Sequence, residues 1–391
     1  MKIGIITHWT SDDNYGQQLQ CYALQKYLNS QGHDAFLIRY NPIRADGLIK
    51  KICRNLSFAT VFSVLSGKWL KQRKENKRNE ELWNLNSELN IKRGFKDFRD
   101  KHIKYSKLIY NSIQELRKYP PDADVYITGS DQVWIFPLKD KDTAGWYLDF
   151  GHPRIKRISY AASMGRPINK NEIKYFKHYL EKLDFISVRE NEIMVLCHSL
   201  GFGEVEVTLD PTLLLPIEIY IELCPRRNRI YASKYILLYV LNVNDSEAVH
   251  GMEIEQYAQN LSLDIKVVVS SGYLPAKQIL KAHDNVLATI PEWLLMIQYA
   301  EIVITTSFHG LVFCLKMHKP FVVVLLGGKY KGGNNRLLSL LKNVGLENRI
   351  WYCNKTISDI IGKTIDWDLV DEKLLIMRKS SEDFLARSLN F

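Results

Sequence analysis

The stretch "IVITTSFHGLVFCLKM" (302–317) begins and ends apolar, with the polar patch "TTSFHG" in its middle. The two apolar parts have different lengths and compositions. "IVITTS" reads as a short buried strand, and "HGLVFCLKM" as the helix that follows it, with Ser307 placed to cap the helix start. A buried strand that passes through a polar turn into a buried helix is one unit of a parallel sheet covered on both faces. In such sheets ligands bind beyond the carboxyl ends of the strands. A helix start also offers N–H groups and positive potential, which suit an anion. His309 and Gly310 fall at that point.

The same unit recurs along the chain. "KIGIIT", "GHDAFLIRY", "DVYITGSD", "RISYAASMG", "FISVRE" and "VEVTLD" read as strands in the first half, with a helix over Tyr15–Gln31. "YILLYVL", "IKVVVSS", "NVLAT", "IVITTS" and "PFVVVLL" read as strands in the second, with helices over Ser246–Leu261 and Glu292–Ala300. "DPTLLLPIEIYIELCPRRNR" (210–229) is the best linker. The expectation is two doubly wound Rossmann-like α/β domains facing across a cleft. Residues 1–215 form the N-terminal domain, with a mostly helical insertion over 44–118. Residues 230–375 form the C-terminal domain, and 376–391 a C-terminal helix. A chain of 391 residues suits two or three domains, each with its own core.

Composition narrows the class. Apolar residues make up 46% and charged residues 25%, an ordinary globular balance. No apolar run reaches the ~20 residues of a membrane span, and "MKIGIITHW" has no signal-peptide pattern. The six cysteines are scattered without a C-x-x-C pair, which argues against a zinc site or a disulfide framework and suggests reduced, cytoplasmic thiols. The net charge is +10, and residues 50–78 alone carry nine Lys/Arg against Glu75, a net +8. That segment flanks the apolar run 56–71 with basic residues. It is expected to meet an anionic membrane surface, the alternative being a helix packed on the core. Basic residues confined to one insertion do not make a nucleic-acid module.

The strand-end segments, taken in order, resemble the polysaccharide pyruvyl transferase family. The resemblance is carried by "NYGQQLQCYALQKYL" (14–28) with "GHDAFLIRYN" (32–41), "GSDQVW" (129–134), "RISYAASMG" (157–165) and "FISVREN" (185–191). It continues through "LDPTLLL" (209–215), "SFHG" (307–310) with "KPFVVV" (319–324), and "NNRLLSLL" (334–341). It implies a GT-B-like architecture, with the acceptor on the N-terminal domain and the donor on the C-terminal one. The implied donor is phosphoenolpyruvate, used as a substrate with no cofactor and no metal. The implied acceptor is a sugar of a cell-surface polysaccharide or its lipid-linked precursor, bridged by a pyruvate ketal as phosphate leaves. The chain departs from the family at Phe308, where some members carry Arg, and at "IFP" after "GSDQVW", where Asn is frequent.

Phosphoenolpyruvate carries a carboxylate and a phosphate, so its site needs fixed cations, N–H donors, a proton donor and a carboxylate. His309 and Asp131 are the catalytic candidates, Asp131 on the acceptor side. Arg336, Arg189, Ser307, Gly310 and Lys329 are the donor-binding candidates. Asn14, Tyr15, Gly16 and Trp134 are the acceptor-binding ones. Each has a structural alternative. Ser307, Asp131 and Asn14 can be plain caps, Arg189 can pair with Glu190, Trp134 can be core, and Asp210 reads as a turn residue. A sugar-nucleotide glycosyltransferase of the same fold, or a non-catalytic glycan-binding protein, are the competing functions.

Overall fold

The computed structural model describes residues 1–42, 91–224, 231–243, 246–268, 270, 280 and 284–390, except for the side chains of Asp284 and Lys329. Two parallel sheets organise it. The first contains β1 (Lys2–Ile6), β2 (Asp34–Tyr40), β3 (Tyr105–Tyr110), β4 (Val125–Thr128), β5 (Lys156–Ala162), β6 (Phe185–Val188) and β7 (Glu206–Val207). Its order is β3-β2-β1-β4-β5-β6-β7, every pair parallel. The second contains β8 (Tyr235–Tyr239), β9 (Asp264–Val268), β10 (Asp284–Val286), β11 (Ile302–Thr305) and β12 (Phe321–Val323), in the order β10-β9-β8-β11-β12, again parallel. β1, β4, β8 and β11 are apolar and buried almost throughout, as strands covered on both faces must be. This is the doubly wound α/β class, repeated twice.

The strand orders fix where a ligand belongs. In each sheet the chain winds outward one way and then returns to wind the other. The reversal falls between β1 and β4 in the first sheet and between β8 and β11 in the second. The segments leaving β1, β4 and β11 therefore sit at the switch points, where open α/β sheets form their crevices. They are residues 7–16, 129–134 and 306–310.

The helices that matter for the site start at those points. Helix α1 (Tyr15–Ser30) is capped by Asn14, whose side chain accepts from Gln17 N. Helix α2 (Asn191–Ser199) follows β6. Helix α3 (Ile290–Tyr299) has Pro291 in its first turn and a reciprocal cap between Thr289 and Glu292. Helix α4 (Phe308–Lys316) is capped by Ser307, and α5 (Asn335–Val344) follows the glycine-rich turn Gly328–Asn334.

Two boundaries differ from the sequence expectation, and one segment lies outside the described residues. The interval 44–118, expected to be a mostly helical insertion, contains β3, which pairs with β2 and belongs to the sheet. Residues 43–90, and with them the basic segment 50–78, lie outside the described residues. The boundary expected at 376 falls inside one helix, α6 (Trp367–Asn390). Its start meets the second domain, with Lys373 Nζ donating to Val344 O. Its end meets the first: Arg387 pairs with Glu206, and Ser381 Oγ accepts from Leu209 N.

Separate cores were also expected, yet the largest buried apolar cluster runs through both domains. It joins Ile3, Leu19 and Tyr22 to Tyr220, Leu237, Trp293 and Phe313. Aromatic rings make the join: Tyr15 stacks on Trp293 at 5.2 Å, and Tyr220 meets Phe313 edge-on at 5.0 Å.

Candidate active site between the two sheets

Beyond β4 the chain makes a strained turn. Asp131 has φ 77, a left-handed conformation that few non-glycine residues adopt but Asp tolerates. A register shift in β5 accompanies it, and Ser163 N donates to Asp131 O at 3.0 Å. The turn is locked from both sides and faces the second domain. Strain over-determined in this way is a feature of functional sites.

Asp210 is the centre of the charged cluster. Its side chain is fully buried. Oδ1 accepts from Thr212 N at 3.0 Å and Thr212 Oγ1 at 2.6 Å. Oδ2 accepts from Ser130 Oγ at 2.7 Å and Arg189 Nη1 at 2.8 Å, and lies 3.5 Å from His309 Nε2. Burial alone would raise this carboxyl, but His309, Arg189 and the Thr212 hydroxyl outweigh it and hold it well below the ordinary carboxylate range. One carboxylate from the first domain thus anchors an arginine beside it and a histidine from the second.

Arg189 is also buried. Its Nε donates to Glu190 Oε1 at 3.1 Å, and its guanidinium lies 4.5 Å from the centre of the Phe308 ring. Burial works against its charge, while Glu190, Asp210 and Asp131 more than compensate. Phe308, the position where the sequence departs from some family members, therefore serves as the surface on which Arg189 rests. Arg336 approaches from α5, with Nη1 3.7 Å from Asp131 Oδ1 and Nε donating to Gly333 O at 3.2 Å. Burial and the like charge of Arg189 push Arg336 below the usual arginine range, with Asp131 pulling the other way. Asp131 feels burial first, but His8, Arg189, Arg336 and His309 hold it below the ordinary carboxylate value.

Three polar atoms in this cluster have no hydrogen-bond partner among the described residues: His309 Nε2, Arg189 Nη2 and Glu190 Oε2. At 3.5 Å the His309–Asp210 contact is an ion-pair separation, not a hydrogen bond. Buried polar atoms are rarely left unpaired, so three together mark a place built for something else to bind. A cavity of about 500 Å³ lies beside them, between the domains. Arg336, Lys331 and Glu190 line it together with an apolar wall that includes Met164, Ile193 and Leu196.

The sequence candidates divide accordingly. His309, Arg189, Arg336 and Asp131 are brought together. Ser307 caps α4, its Oγ accepting from Gly310 N at 3.3 Å. Gly310 was expected to let a ligand approach the backbone. Instead a Cβ there would sit 2.4 Å from Thr305 Oγ1 and 2.9 Å from Tyr239 Cδ1, so the glycine lets α4 pack on β11 and β8. Gly16 has a similar role across the cleft: a Cβ would fall 2.0 Å from His309 Nδ1. Its place is taken by the histidine ring, not by an acceptor. Tyr15 is fully buried, its hydroxyl donating to Ala288 O at 2.6 Å, which makes it interdomain packing. Trp134 is 1% exposed and stacks on Tyr147 at 5.1 Å, which makes it core. Neither can reach a sugar. Asn14 is a half-buried cap. Lys329 lies in the glycine-rich turn, with its side chain outside the described residues. The sequence reading gave Asp210 a turn role, gave Glu190 only the role of an ion-pair partner for Arg189, and gave Ser130 no role. The available signal was that all three lie inside the strand-end segments 129–134, 185–191 and 209–215.

The fold and site together define a two-domain α/β protein of the GT-B type with a charged interdomain cleft that carries both arginines and carboxylates. The polysaccharide pyruvyl transferase family profile matches residues 14–326, and the chain belongs to that family. No curated protein matches it. Similar solved structures include the UDP-GlcNAc 2-epimerase from Neisseria meningitidis bound to UDP-GlcNAc, at 9% identity and TM-score 0.46, covering 100% of this chain and 99% of that one. Another is the UDP-GlcNAc 2-epimerase from Methanocaldococcus jannaschii in complex with UDP-GlcNAc and UDP, at 13% identity and TM-score 0.48, covering 97% and 93%. A third is an alpha-glucosyltransferase in complex with UDP and a 13-mer DNA, at 9% identity and TM-score 0.48, covering 99% and 93%.

Proposed function

We propose that this protein transfers the pyruvyl group of phosphoenolpyruvate to a sugar of a cell-surface polysaccharide or its lipid-linked precursor, closing a pyruvate ketal and releasing phosphate. One observation carries the reading. Two arginines and a buried histidine, with unpartnered nitrogens on Arg189 and His309, converge beside an interdomain cavity that Lys331 also lines. A ligand with two anionic groups satisfies such a set. Arg336 and Lys331 take one anion at the cavity, and Arg189 with the start of α4 takes the other. His309 Nε2 is the proton donor, delivering to C3 of the donor as C2 is attacked. Asp210 Oδ2 lies 3.5 Å from that nitrogen and fixes where the ring sits. Asp131, on the acceptor side, keeps Arg336 oriented toward the donor. Binding the two domains' groups around one carboxylate also couples donor binding to the seating of the domains.

The test is phosphate release from phosphoenolpyruvate by the purified protein, followed by ³¹P NMR with and without glycan, together with the ketal methyl signal in the proton spectrum. Consumption of phosphoenolpyruvate only with glycan present is the expected result. Binding of a sugar nucleotide and not of phosphoenolpyruvate would replace this reading by a glycosyltransferase one.

Action on a lipid-linked precursor would place the enzyme at the inner face of the cytoplasmic membrane. The support is the +8 charge of residues 50–78. Among the described residues no helix is long and apolar enough to cross a membrane. Flotation with anionic vesicles at low salt, lost at high salt, is the expected behaviour.

A further inference from the structure

The three buried carboxylates of the site are not equivalent. Asp210 spends both oxygens inside the protein, on Thr212, Ser130 and Arg189. Asp131 is set among four basic side chains and does not line the cavity. Glu190 does line it. Its side chain is 5% exposed, and Oε1 accepts from Arg189 Nε. Oε2 has no partner among the described residues. A buried carboxylate oxygen without a donor is costly, so whatever enters the cavity is expected to supply one. Glu192, the other carboxylate on the cavity, is exposed and has water for that purpose.

The cavity says what kind of donor. At about 500 Å³ it has the volume of a site for a drug-sized ligand, more than a three-carbon phosphate ester fills. Its wall of Met164, Ile193 and Leu196 suits the C–H face of a sugar ring, and Glu190 suits that ring's hydroxyl. We infer that Glu190 binds the attacking hydroxyl of a sugar diol and accepts its proton. This rests on the pyruvyl transfer reading and adds a second acid–base group to it.

The proton count closes. The first hydroxyl oxygen bonds to C2 of phosphoenolpyruvate, its proton passes to Glu190, and the C2–C3 π pair takes a proton from His309. The C2–O bond to phosphate then breaks, its electron pair leaves with the phosphate, and the second hydroxyl oxygen bonds to the oxocarbenium carbon C2 that remains. The second hydroxyl's proton restores His309, and the phosphate takes the proton held by Glu190. One proton ends on the new methyl group and one on phosphate, and both side chains return to their starting states.

Calorimetry of full-length wild type and Glu190→Gln with phosphoenolpyruvate comes first. The variant is expected to bind within about threefold of wild type or more tightly, because a negative charge beside an anion site is gone. A loss of about tenfold or more would show that Glu190 only holds Arg189 in place, and would overturn the inference. Turnover is then measured on the surface polysaccharide of the source organism, freed of ketals by mild acid. Glu190→Gln is expected to lose about 10²–10⁴-fold in kcat with little change in KM for phosphoenolpyruvate. Glu190→Asp should recover part of that loss, and the acidic limb of the kcat profile should vanish in the Gln variant. Near-wild-type turnover or an unchanged limb in Glu190→Gln sinks this inference alone. Wild type that neither binds nor consumes phosphoenolpyruvate removes the underlying reading and this inference with it.

Discussion

Two helix starts face each other across the cleft, and the buried side chains they carry have opposite fates. Tyr15 opens α1 in the first domain, and His309 sits in the first turn of α4 in the second. Tyr15 is fully partnered: its ring stacks on Trp293, and its hydroxyl donates to Ala288 O. His309 is 5% exposed and leaves Nε2 without a hydrogen bond. Equal burial with unequal satisfaction separates the residue that joins the domains from the residue whose ring nitrogen is left free for a ligand.

The sharpest test of that contrast is a pair of truncations. His309→Ala is expected to lower acceptor-dependent phosphate release by about 10²–10⁴-fold with an unchanged melting curve. Tyr15→Ala should cost about 3–5 kcal/mol of stability, while the molecules that remain folded keep their turnover. If His309→Ala instead unfolds the protein, or Tyr15→Phe abolishes turnover without loss of stability, the two roles have been assigned the wrong way round.

Asp210 ties both sides together, so Asp210→Asn should damage both. Leaving the buried Arg189 charge with Glu190 alone is expected to cost up to about 3–5 kcal/mol in denaturant unfolding, with activity falling as well. The pH dependence follows from the direction of the shift. A carboxyl held below its ordinary value contributes stability above the unfolded value of about 3.9 and loses it as pH falls further. The stability gap between wild type and Asp210→Asn should therefore be flat above about pH 5 and narrow below it. A gap that widens on acidification would mean that Asp210 is not ionised in the folded protein.

Gly16 sharpens the comparison from the other helix. A methyl group there would fall on the His309 ring. Gly16→Ala is expected to cut turnover by about 10²-fold through displacement of the histidine, with a smaller loss of stability. The mildest effect belongs to Phe308→Leu. It removes the aromatic surface under Arg189 and should weaken phosphoenolpyruvate binding by about 0.5–2 kcal/mol in calorimetry. An unchanged affinity would mean that Arg189 does not need that surface.

Much of this molecule was legible in its sequence. Strands such as "YILLYV" and "IVITT" are continuously apolar, and only strands buried on both faces tolerate that, so the parallel sheets and their alternation with helices could be read directly. The position of the candidate site follows from the same pattern, because polar residues after a buried strand lie at the carboxyl edge of the sheet. The roles of individual residues there were less legible. Tyr15, Gly16 and Trp134 stand at that edge, and the sequence offers them as sugar contacts. What decided against them was a partner far away in the chain: Trp293 and Ala288 for Tyr15, His309 for Gly16, Tyr147 for Trp134. Asp210 failed in the opposite sense. Its neighbours "DPT" announce a turn, and it does cap that turn through Thr212. Its other oxygen gathers Ser130, Arg189 and His309 from three separate strand ends. Periodicity and composition are local properties and are written in the sequence. Whether a buried polar atom is satisfied depends on groups a hundred residues away, and only the packing of the two sheets decides it.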